Sequence, residues 1–113
     1  MSSLPPYLLL SCAILCEVVG TSFLKASDHF TRVIPSGITI IAYITAFYLL
    51  SVIVQALPVG VVYAIWSGMG IVLISLVGWL VYGQALNLPT IIGLGLIVAG
   101  VGVVNLWSSA LPP

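Results

Sequence analysis

Glu17 lies deep inside an otherwise uncharged run that extends from about Pro6 to Lys25. If that run sits in lipid, a charged side chain at its centre costs about 3 kcal/mol on insertion scales. A glutamate is too short to reach either membrane surface from mid-span. Its carboxyl group is therefore tolerated in two forms, protonated or paired with a cation. A proton and a cation then compete for the same oxygens, which is the minimum chemistry of a proton/cation exchanger. No Lys or Arg lies in the apolar runs, so charge alone favours a cationic substrate over an anionic one. The competing reading is a carboxyl group that stays protonated and serves only structure.

On a helix, residues three, four and seven positions away share a face. Around Glu17 these are Leu10, Ala13, Ile14, Gly20, Thr21 and Leu24. Thr21 offers a hydroxyl. Ala13 and Gly20 are small, which leaves room for a ligand and equally permits close helix packing. Cys12 and Cys16 are four apart in the same run. Positions so related rarely meet disulfide geometry, so free, buried thiols are expected. A tetrahedral metal site would need more ligands than these two, and none is predicted.

Further aromatic and glycine patterns accompany the carboxylate. Tyr43 and Phe47 are four apart, and Tyr63 and Trp66 three apart, with Gly60 and Gly70 near the latter stripe. Aromatic faces attract cations, by about 2 kcal/mol or more when desolvated. Beside a carboxylate they would suit a flat, greasy cation, and ordinary packing explains them equally well. Gly68-Met69-Gly70 can allow a kink or a close helix contact. Gly93 and Gly100 are seven apart, as are Gly95 and Gly102, making a small-residue stripe for helix association.

The elements that must carry these residues follow from composition. Only 4% of the 113 residues are charged and 62% are hydrophobic, whereas a soluble domain of this size carries about a quarter charged. The chain's solvent is lipid. Each helical span needs about 20 apolar residues, and the chain holds four of them, over about 6–25, 33–55, 58–82 and 88–107. Uniformly apolar spans argue against a β-barrel, whose strands alternate. The expected class is an all-α membrane protein of one four-helix domain.

Each span has a proline near its start: Pro6, Pro35, Pro58 and Pro89. Prolines in a first turn lose no helical hydrogen bond. Tyr7, Tyr82 and Trp107 would sit at headgroup level. The stretch 8–12 loosely resembles a lipoprotein cleavage site. It lacks a basic segment before it, and the apolar run continues to Leu24, so an uncleaved first span is expected. Lys25 and Arg32 fall in the first loop and weakly favour loops one and three in the cytoplasm. His29 reads as a solvated loop residue. No phosphate-binding loop, nucleophile motif or basic run appears, so neither an enzyme, a bound cofactor nor a nucleic-acid partner is expected. A small bundle with one carboxylate per chain invites pairing with a second copy.

These residues resemble the small multidrug resistance family. The likeness spans essentially the whole chain and is most specific in Ala13–Thr21 (AILCEVVGT), Gly60–Gly68 (GVVYAIWSG) and Ile71–Ser75 (IVLIS). The resemblance implies four helices per chain, an antiparallel homodimer in the bacterial inner membrane, and export of lipophilic cations driven by inward proton flow. It implies that Glu17 binds both proton and substrate, that Tyr43, Tyr63 and Trp66 form an aromatic pocket, and that Ala13, Ile14, Gly20, Thr21, Phe47 and Ser75 line or shape it. It also implies a kink at Gly68 and Gly70 and a dimer contact at Gly93 and Gly100. Within the family, the runs around Glu17 and Trp66 look like the quaternary-ammonium exporters, and an exporter of guanidinium or polyamines is the alternative. A proton-rotor proteolipid needs only two spans and no aromatic cage. A non-transporting subunit would make Glu17 dispensable. The third loop departs from close relatives, with Ala85 and Asn87 where they carry Arg and Asp, and the tail lacks their basic residue. Those losses alter the charge balance that governs insertion and leave the pocket residues in place.

Overall fold

The computed structural model describes residues 5–108, with side chains described to Leu106. The tail and the Trp107 side chain lie outside the described residues. Four helices account for most of the rest: α1 (Pro6–Ala26), α2 (Val33–Ile53), α3 (Val59–Leu80) and α4 (Leu88–Ser108). Each has 21 or 22 residues. At 1.5 Å per residue that is about 32 Å, the thickness of a bilayer's hydrocarbon core. All four are long and apolar enough to cross a membrane, and no strand occurs among the described residues. Helices are the form this composition dictates, because lipid offers no partners for free backbone groups.

The chain divides after Ala56 into two compact units. In the first, α1 packs along α2; in the second, α3 packs along α4. The second helix stops at Ile53, before the expected Gln55. Turn hydrogen bonds from Gln55 N to Val52 O (3.2 Å) and from Ala56 N to Ile53 O (2.9 Å) replace its ladder. Pro58 explains the stop, since proline disfavours a helical conformation in the residue before it. The third helix stops at Leu80, before the expected Tyr82. Gly83, at φ 65°, takes the left-handed conformation, and Gln84 N returns to Gly78 O at 2.9 Å. A glycine adopts this left-handed conformation without steric cost, and the chain turns back there onto the last turn of α3.

The first loop is held by Ser27, which is fully buried. Its Oγ donates to Leu24 O at 2.6 Å and accepts from Phe30 N at 3.1 Å. Its carbonyl accepts from Thr31 N at 2.9 Å and Arg32 N at 3.0 Å. This pin holds Asp28, His29 and Phe30 in consecutive left-handed conformations, φ 48°, 61° and 63°. His29 is exposed, as expected, with Nδ1 at 3.4 Å from Asp28 Oδ1. Both side chains face water, where such a pair contributes little.

Candidate functional site

The first unit assembles a polar cluster around Glu17. Thr21 is one turn further along α1, and its Oγ1 donates to Glu17 Oε1 at 3.0 Å. The Tyr43 hydroxyl, on α2, lies 2.6 Å from the same Thr21 oxygen. Thr21 has one hydroxyl hydrogen, and it is directed at the carboxylate. Tyr43 therefore donates to Thr21, and the chain of donors runs from Tyr43 through Thr21 to Glu17.

Gly20 makes this approach possible. A Cβ built there would lie 2.6 Å from Cε1 and 2.7 Å from Cδ1 of Tyr43, and 3.3 Å from the Ala42 Cβ. The tyrosine ring thus rests on the bare backbone of α1. Of the two roles the sequence leaves open for Gly20, the structure displays close packing, and the ring it admits is an expected pocket residue. Thr39 fixes the register. It is fully buried, lies one turn before Tyr43, and its Oγ1 donates to Gly20 O at 3.0 Å. Ser11, Ser22, Thr45 and Ser51 direct their hydroxyls to carbonyls of their own helix. Thr21 and Thr39 instead reach the neighbouring helix. Thr39 was absent from the residues singled out by sequence. The signal for it was a hydroxyl four positions from Tyr43 on an apolar span.

The remaining expected residues of this unit flank the cluster. Ala13 and Ile14 are buried, Glu17 and Thr21 half-buried, and Phe47 is 59% exposed. The expectation of buried thiols needs correction: Cys12 is exposed and Cys16 half-buried, and both are free. The cause is the face they occupy. Leu8, Leu15 and Val19 are exposed on the same side of α1, which is the side turned away from α2.

The second unit holds Tyr63, Trp66, Ser75 and the glycines. Tyr63 is 74% exposed, while Trp66 and Ser75 are half-buried on α3. The helix runs unbroken through Gly68 and Gly70, both buried. At Gly68 a Cβ would collide with Val101 and stand 3.3 Å from Ile97, so this glycine admits α4 against α3. On α4, Gly93, Gly95, Gly100 and Gly102 face open space, and none of its described residues is buried. In the loop before it, Asn87 Oδ1 accepts from Thr90 N at 2.9 Å and caps the helix. The asparagine thus fulfils a capping role without the charge of an aspartate. Among the described residues no group of three or more His, Cys, Asp or Glu could hold a metal ion.

The sequence matches the Small Multidrug Resistance protein family over residues 5–97. It is 53% identical over 107 residues to the multidrug transporter EmrE of Escherichia coli K12, covering 95% of this chain and 97% of that one. It is 50% identical over 104 residues to the quaternary ammonium compound-resistance protein QacE of Escherichia coli, covering 92% and 94%. To QacH of Staphylococcus saprophyticus, also a quaternary ammonium compound-resistance protein, it is 42% identical over 105 residues, covering 93% and 98%. Four membrane-length helices, a single carboxyl group within them and a family match over most of the chain converge: this is a multi-pass membrane protein belonging to the small multidrug resistance family.

Proposed function

We propose that the chain is a proton-coupled antiporter that exports lipophilic cations, quaternary ammonium and aromatic, across the bacterial inner membrane. The observation that carries this reading is the Glu17–Thr21–Tyr43 arrangement: a carboxylate within a membrane span, hydrogen-bonded to a hydroxyl and adjacent to an aromatic ring. Relatives named for multidrug transport and quaternary ammonium resistance support the substrate class.

The chemistry follows from competition at one group. Deprotonated Glu17 attracts a cation that has shed its water, and aromatic faces stabilise it. Protonation cancels the carboxylate charge and releases the cation. The hydroxyls can follow that change. A protonated Glu17 can donate to Thr21, whose hydrogen then turns toward Tyr43, so the donor chain reverses without moving a helix. Proton binding on one side and cation binding on the other become transport when the site faces each side in turn. We assign that alternation to an antiparallel homodimer contributing one Glu17 per chain, with Gly93 and Gly100 at the contact. The open glycine stripe on α4 supports the contact. Tyr63, Trp66, Phe47 and Ser75 are assigned to the pocket on the family resemblance.

Binding measured with proton release tests the reading. Tetraphenylphosphonium should bind the purified protein and release protons into a weakly buffered solution. Release should be lost in Glu17→Gln. Guanidinium bound in its place, with no binding of tetraphenylphosphonium, would select the guanidinium or polyamine alternative.

A further inference from the structure

We propose that Cys12 and Cys16 form a two-thiolate site on α1 for a divalent soft metal ion of linear coordination, of the mercury(II) class. Both cysteines are free; Cys12 is exposed and Cys16 half-buried, on a helix with no break between them. At a spacing of four, their Cβ atoms are about 5–6 Å apart on one face. A metal–thiolate bond of about 2.3 Å, taken twice in line, spans sulfurs about 4.6 Å apart. Rotation about each Cα–Cβ bond brings the two sulfurs to that separation without bending the helix.

Charge selects the ion. The exposed Leu8, Leu15 and Val19 surround the pair with apolar side chains on a membrane-length helix, where a complex with net charge is penalised. Two thiolates neutralise a divalent ion fully. A monovalent soft ion would leave the complex with one negative charge. Zinc would lack two ligands of its tetrahedron, and among the described residues no third His, Cys, Asp or Glu joins these two in a metal-sized group. Calcium and magnesium require oxygen ligands that this face does not offer. A linear divalent thiophile needs two sulfurs and nothing else.

The step balances without an oxidant. Neutral mercuric chloride enters the lipid, two S–H bonds break, two Hg–S bonds form, and two protons leave with two chlorides. Glu17 points roughly 100° around the helix from Cys16 and takes no part. The site is thus independent of the transport reading.

The test titrates mercuric chloride into the full-length protein in lipid bilayers, with maleimide labelling and intact mass as readouts. One equivalent should protect both thiols and add one mercury to one chain, with loss of two protons. Cys12→Ser and Cys16→Ser should each hold mercury about a hundredfold less tightly against glutathione, because the second bond is no longer intramolecular. Mercury should bind Glu17→Gln as tightly as it binds wild type. Protection of a single thiol by one equivalent, a mercury shared between two chains, equal affinity in the serine variants, or loss of binding in Glu17→Gln would each overturn the proposal.

Discussion

The Tyr43 hydroxyl lies 2.6 Å from Thr21 Oγ1, and it reaches that position because α1 presents a glycine, Gly20, where the ring crosses. The cluster around Glu17 is thus built from a close helix approach as much as from polar side chains.

Removing the hydroxyl between Tyr43 and Glu17 should weaken cation binding. A hydrogen bond to a charged group contributes about 1.5–3 kcal/mol. Thr21→Val should therefore reduce tetraphenylphosphonium affinity by about tenfold or more. Thr21→Ser, which retains the hydroxyl, should stay close to wild type. Equilibrium binding on the purified variants checks this, and equal affinities for the two variants would remove Thr21 from the site.

Adding a methyl group at Gly20 should displace the Tyr43 ring, because the new Cβ would stand 2.6 Å from it. Overpacking of this kind costs about 1–3 kcal/mol. Gly20→Ala should lower both thermal stability and cation affinity. Thermal unfolding in detergent and a binding titration measure the two effects separately.

Thr39 should act on stability with little effect on charge. Hydrogen bonds between membrane helices contribute about 0.6 kcal/mol on average and about 1.7 at most. Thr39→Val should lose an amount in that range, and Thr39→Ser should recover it. Reversible unfolding in mixed micelles is the measurement. A loss in Thr39→Val that serine does not restore would mean that packing, not the bond to Gly20, holds the register.

Cation binding should weaken as pH falls. Protonation of Glu17 removes the charge that attracts the ligand, so affinity is full where the carboxylate is ionised and lost as it takes up a proton. In Glu17→Gln the dependence should disappear along with the binding. Binding titrations at a series of pH values, in buffers of matched ionic strength, check the sign.

The four helices were legible because composition leaves no other solvent than lipid, and a membrane admits few backbone solutions. Glu17 was legible for the same reason: a carboxyl group in such a span stands out against its neighbours. Periodicity also placed Gly20 and Thr21 on its face. What spacing along one helix does not reveal is which residue of the next helix meets that face. Thr39 was missed on that account, since its role depends on the register between α1 and α2. The exposure of Cys12 was missed similarly, because an apolar run looks the same whether it faces a helix or lipid. Gly68 and Gly70 read equally as a kink or a contact. The contact of Gly68 with Val101 became visible only with α4 in place.

Glu17 should couple proton flow to cation movement. Proteoliposomes carrying a pH gradient and given radiolabelled tetraphenylphosphonium test it directly, with wild type and Glu17→Gln side by side. Gradient-driven uptake is expected for wild type and none for Glu17→Gln. Uptake that persists in Glu17→Gln, or a folded wild type that moves no cation when the gradient is imposed, would contradict it.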